Sequence, residues 1–73
     1  MPERLDELKK LVAIATDMQL SAELRIKTIE LIGNMGSHEA LLALLELAGN
    51  DKLIKKEREL ALKYAREVIR AGR

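Results

Sequence analysis

The 73-residue chain has no cysteine, tryptophan or phenylalanine, and only one tyrosine, one proline and one histidine. Without cysteine, neither a disulfide nor a thiolate metal site can brace so small a fold. Without Trp or Phe the core must be aliphatic, and Tyr64 is its single aromatic candidate. The lone proline, Pro2, leaves the rest of the chain free of the strongest helix breaker. Long apolar runs are also missing. The longest near-continuous one, residues 40–48, contains Glu46 and is too short to span a bilayer. The opening Met-Pro-Glu-Arg-Leu lacks the apolar core of a signal peptide. These absences lead us to expect a soluble, cytoplasmic protein without membrane contact.

What remains is helix-forming. Hydrophobic residues make up 48% of the chain and charged ones 34%, with Leu, Ile, Ala, Glu, Lys and Arg dominant. That balance favours a globular, helical domain over disorder. Four helices are expected. The first covers about residues 2–17, with Pro2 in the first turn, Glu3, Asp6 and Glu7 at the positive dipole end, and an apolar face of Leu5, Leu8, Leu11, Val12 and Ala15. The second covers residues 22–35, capped by Ser21 and closed by Asn34 and Gly36, with Leu24, Thr28, Leu31 and Met35 as its stripe and Ile29 and Ile32 beside it.

Gly33 lies inside the second helix at a cost of about 1 kcal/mol relative to Ala, which signals a close helix crossing. The third helix, residues 38–48, follows Ser37 and is apolar nearly all round, with Glu39, Ala43 and Glu46 as its solvated side. Gly49-Asn50-Asp51 breaks it. The fourth starts between Lys52 and Lys55 and runs to about Ala71. Its stripe is Leu60, Ala61, Tyr64, Ala65 and Val68, flanked by Leu62 and Ile69, and Arg70 and Arg73 sit at its negative dipole end.

The chain also repeats itself. Leu8, Leu11, Ala15, Leu20 and Arg25 recur 33 residues later as Leu41, Leu44, Ala48, Leu53 and Arg58. A fixed period of this length in a helical chain is the mark of an α-solenoid, in which one helix pair buries its apolar stripe only by stacking on another. The second helix carries Leu24-Arg25, Thr28, Ile29, Leu31, Ile32, Gly33, Met35 and Gly36. The third opens Ser37-His38-Glu39-Ala40-Leu41-Leu42-Ala43-Leu44-Leu45.

Over residues 24–48 this pattern resembles the short HEAT-like repeats of the phycobilisome-lyase type, and residues 58–69 repeat its first half more weakly. The resemblance implies an all-α domain over residues 1–73, with four antiparallel helices in a short right-handed HEAT-like α-solenoid, or α-α superhelix, of about two repeats. It also implies that Arg25 and Arg58 bridge neighbouring repeats through acidic or carbonyl partners. Arg66 departs from the pattern, standing where the first copy has Gly33.

Chemistry is sparse. His38 has no second histidine or cysteine to share a metal, and no partner for acid–base work. Glu3/Glu7 and Asp6/Lys10, at i,i+4 spacing, suit a solvated face. Gly33-x-x-Gly36 follows a helix, so it is no phosphate loop. We therefore expect no enzyme activity, cofactor, metal or small-molecule substrate.

Charge is uneven. Residues 1–50 hold five Lys/Arg and eight Asp/Glu, net −3, while residues 51–73 hold eight and four, net +4. The basic surface of the fourth helix draws on Lys52, Lys55, Lys56, Lys63, Arg66 and Arg70, with Lys56, Lys63 and Arg70 at seven-residue spacing. Glu57, Glu59 and Glu67 interrupt it and no aromatics interleave, so a nucleic-acid partner is not the first choice.

Two repeats leave unpaired edges. The leading expectation is a non-enzymatic protein-interaction or scaffold module that associates with itself, as a homodimer rather than a monomer, or with another protein. Its candidate interface residues are Ile14, Leu42, Leu47, Lys56, Lys63 and Arg70. Two alternatives stay open: a designed or engineered small helical protein or repeat fragment without native activity, and weak nucleic-acid binding through the fourth helix.

Overall fold

The computed structural model describes residues 2–72, with side chains from residue 5 onward. The side chain of Glu3, paired above with Glu7, and Arg73, placed above at a dipole end, lie outside the described residues. Four helices pack against one another, and the described residues contain no strand: α1 (Pro2–Ala15), α2 (Ala22–Met35), α3 (His38–Ala48) and α4 (Lys55–Arg70).

Local chemistry sets the boundaries. Ser21 Oγ accepts from the Leu24 N–H at 3.2 Å and Ser37 Oγ from the Ala40 N–H at 3.1 Å, so both serines cap as the sequence predicts. Each cap contributes about 1 kcal/mol. Gly36 closes α2 in the left-handed region, φ 64°, where a side chain would be strained. α1 stops two residues short of the expected end. The Thr16 hydroxyl donates back to the Val12 carbonyl at 2.9 Å, and Asp17 Oδ1 takes the Gln19 N–H at 2.9 Å, which turns the chain away.

The same turn recurs one period later. Asn50 Oδ1 accepts from the Lys52 N–H at 2.9 Å, and α4 begins at the last of its expected starts. Leu20 and Leu53 close their loops alike, each N–H donating at 3.1 Å to the carbonyl of Asp17 or Asn50. The 33-residue echo is thus a repeat of backbone conformation as well as of letters.

α2 and α3 lie between α1 and α4, which make no contact with each other among the described residues. Ile29, Ile32, Leu44 and Leu47 are the largest apolar side chains buried at the centre, each worth about 1.5–3 kcal/mol. Ala15, Ala40, Ala61 and Ala65 are fully buried where helices close on one another. The radius of gyration is 11.2 Å, matching the roughly 11 Å of a compact chain of this length.

Three details differ from the sequence reading. Leu47, named as a candidate interface residue, is only 2% exposed: it continues the inward row of Ala40, Ala43 and Leu44. Ala43 is buried with them, and Leu42 and Leu45 take the outer side instead. On α2 the buried arc is Arg25, Thr28, Ile29 and Ile32, while Leu24 and Leu31 stand exposed. The stripe is rotated because α1, α3 and α4 together cover the Ile29 arc, while Leu31 is left at the rim of the α1–α2 contact.

Gly33 permits the crossing of α2 with α4. A Cβ placed there would stand 2.7 Å from Tyr64 Cγ and Cδ1 and 2.9 Å from Tyr64 Cβ, closer than side chains approach. Tyr64 Cβ moves only with the backbone, so the conflict is not relieved by a rotamer change. Gly33→Ala should therefore destabilise by about 1–3 kcal/mol as an overpacked contact, despite a helix-propensity gain of about 1 kcal/mol. Gly49→Ala is the control: its φ is −99° and its nearest neighbours lie at 3.8 and 3.9 Å. That change should be neutral or stabilising by up to about 1 kcal/mol. Urea midpoints of the two variants decide the matter, and equal midpoints would mean that the α2–α4 crossing is loose.

Candidate interaction surface

The polar centre of the domain is an ion pair between helices. Arg25 Nε donates to Glu57 Oε2 at 3.1 Å and Nη2 lies 3.0 Å from the same oxygen, with side-chain exposures of 8% and 0%. Arg25 Nη1 donates to the Leu20 carbonyl and to the Asp17 carbonyl at 3.4 Å. One guanidinium therefore ties α2 to α4 and to the loop that ends α1. Fork geometry and permanent charge suit arginine to this place in a way lysine would not match.

Glu57 was read above as a break in a basic surface; it is fully buried. A signal was present, since Glu57 stands in line with Ala61, Ala65 and Val68 on the buried stripe of α4. Its Oε1 is buried without a hydrogen-bond partner among the described residues. That atom retains part of the desolvation penalty of the pair.

Tyr64 packs against Gly33 from the other side of the same crossing. Burial raises its phenol above the ordinary 10.0, and the charges of Glu30 and Glu67 push the same way.

The candidate residues fall on separate surfaces. Leu42, half exposed, lines a shallow cleft of 310 Å³ between α1 and α3 with Leu8, Lys9, Val12, Glu39 and Glu46. Ile14 is half-buried, and Leu47 is withdrawn into the core. Lys56, Lys63 and Arg70 are exposed on the outer side of α4; Lys55 and Arg66 are exposed on the helix nearer its Leu62 flank, and Lys52 is exposed in the turn before it. The two surfaces belong to different ends of the domain, because α1 and α4 make no contact with each other among the described residues. Lys55 lies 3.9 Å from Glu59 in an exposed pair of little energetic weight. His38 is exposed in the first turn of α3.

A third surface escaped the sequence reading. Leu62 is 38% exposed and lines a cleft of 280 Å³ with Ala48, Lys55, Arg58 and Glu59, between the end of α3 and one flank of α4. Arg58 Nε is buried there and finds no acceptor among the described residues. The signal lay in the register itself: Arg58, Leu62 and Arg66 follow Arg25, Ile29 and Gly33 by one period. No family model matches the chain, and no curated protein or solved structure matches it significantly.

Removing one partner of the buried pair should cost about 3–5 kcal/mol, so Glu57→Ala and Arg25→Ala each lower the thermal midpoint strongly. The double replacement Arg25→Met with Glu57→Leu should lose much less than the two single losses added, since no charge is left unpaired. Additive losses in this double-mutant cycle would show that the two groups are not coupled.

The tyrosine makes a second prediction, read by ultraviolet titration of tyrosinate, which is unambiguous with one Tyr and no Trp. The folded phenol should titrate above 10.0, and Glu30→Gln should bring it down. The fold retains this proton more tightly than the unfolded chain does. The contribution to stability is therefore complete below the unfolded value and lost as pH rises through the folded one. A titration at the ordinary value in the folded protein would show that the hydroxyl is as well solvated as in the unfolded chain and feels neither glutamate.

Proposed function

We propose that this chain is a non-enzymatic protein–protein interaction module, built as a minimal HEAT-like stack of about two repeats. The loop conformation repeated at 33 residues supports the stack, as does the pairing of α1 with α3 and of α2 with α4 at either side of the domain. So does the bridge from Arg25 to the following repeat. α2 and α4 run in the same sense, since Arg25 meets Glu57 near their starts and Gly33 meets Tyr64 about two turns further along.

The observation that carries the reading is the apolar surface left over. Leu24, Leu31, Leu42, Leu45, Leu62 and Ile69 are all exposed while the interior is already filled. Exposed leucines at helical spacing beside polar residues suit a helix-in-groove partner, and the dominant chemistry of such contacts is burial of apolar area. A second copy of the chain is included among such partners.

Selection of displayed helical peptides on the immobilised protein tests this. Enriched peptides should lose most of their binding to Leu42→Glu or to Leu62→Glu, changes at surface positions that leave the core alone. Failure to enrich any peptide, or binding that ignores both substitutions, would count against an interaction module.

A further inference from the structure

The internal contact between α2 and α4 supplies a template for what the free flank of α4 receives. On α2, the flank covered by α4 carries Arg25, Ile29 and Gly33; the first two are buried and the third admits Tyr64. One period later the same flank of α4 carries Arg58, Leu62 and Arg66. Ala48 at the end of α3 borders this flank, but among the described residues no helix lies over it as α4 lies over α2. Leu62 is exposed where Ile29 is fully buried, and Arg58 Nε is buried without the carboxylate that Arg25 has. The covering flank of α4 presents Glu57, Leu60 and Tyr64 to α2, the first paired with Arg25 and the last seated on Gly33.

We infer that the Arg58–Leu62–Arg66 flank of α4 docks an acidic amphipathic helix of a partner protein, lying parallel to α4. The partner carries one carboxylate for Arg58, a leucine-like side chain three positions later for Leu62, and a second carboxylate seven positions after the first for Arg66. The first carboxylate repeats the Glu57 bond to Arg25. The second replaces the tyrosine, because Arg66 fills the space that Gly33 leaves open and offers a charge instead of a hollow. Lys55 adds positive charge around the site, and Glu59 is the acidic group beside it. This identification rests on the interaction-module reading.

A second copy of the chain is a poor occupant. In the same register its α2 offers Leu24, Lys27 and Leu31 at the places of Glu57, Leu60 and Tyr64. That brings no carboxylate to Arg58 and adds a lysine to a basic flank.

The probe is a fluorescent, alanine-rich helical peptide of about twenty residues, long enough to hold a helix. It carries two glutamates seven positions apart with a leucine three positions after the first. Fluorescence anisotropy against the intact protein should show saturable binding. Exchange of both glutamates for glutamine, or Arg58→Gln in the protein, should weaken it at least about tenfold, as loss of a partly desolvated charge pair does. Lys56→Ala with Lys63→Ala, on the outer side of α4, should change it less than about threefold at moderate salt. NMR shifts should centre on residues 58, 62 and 66.

Equal binding of the glutamine peptide overturns the proposal, as do shifts centred on the α1–α3 cleft or no binding at all. Displacement of the peptide by short duplex DNA also overturns it, by making the flank a general polyanion surface. So does a dimer of the free protein that Leu62→Glu dissolves. Peptides selected on the α1–α3 cleft, with no binding of the acidic probe, would sink this inference and leave the interaction-module reading standing.

Discussion

The Arg25–Glu57 pair is the constraint around which the domain is arranged. Both groups are out of water, so neither tolerates separation from the other, and the helices that carry them are held in one register. The same guanidinium donates to the Asp17 and Leu20 carbonyls of the loop after α1, which pins that loop to the start of α2. Replacing the pair by apolar groups would relieve desolvation. The charged version instead specifies which turn of α4 meets which turn of α2, since a one-residue slip would leave two buried charges alone.

Two turns further along the crossing, the same two helices meet by shape. Gly33 lets the ring of Tyr64 lie on the backbone of α2. The contact is bounded by a charged lock at one end and a steric fit at the other, with Ile29 and Ile32 buried beside it. The free flank of α4 keeps the arginine of the first feature and loses the glycine of the second. It therefore retains the means to bind a carboxylate and discards the means to accept another copy of the same helix.

Much of the fold was legible because it is local. Ser21, Ser37, Gly36 and the Asn50 turn act within a few residues of themselves, so their hydrogen bonds follow from sequence order alone; the Asp17 turn is equally local, but the sequence reading carried α1 through it. The crossing at Gly33 was legible for a related reason: a glycine inside a helix has few other uses. Leu47 and Glu57 were misplaced because composition describes a residue and not its neighbour. A glutamate between Lys56 and Arg58 reads as surface until an arginine from 32 residues earlier is placed beside it. Leu24 and Leu31 were placed on the buried side because the apolar period of α2 admits two adjacent stripes, and only the positions of the three helices around it select between them.

The sequence by itself determined four helices, their caps and turns, an aliphatic core and a period of 33 residues, since each depends on backbone propensity or on contacts a turn or two away. Which arc of each helix is buried, which carboxylate is inside and which arginine is left without one were decided only by tertiary packing. The physical reason is that burial belongs to pairs of surfaces. A stripe is apolar before folding, but it becomes a core or an open flank only when another helix covers it or does not.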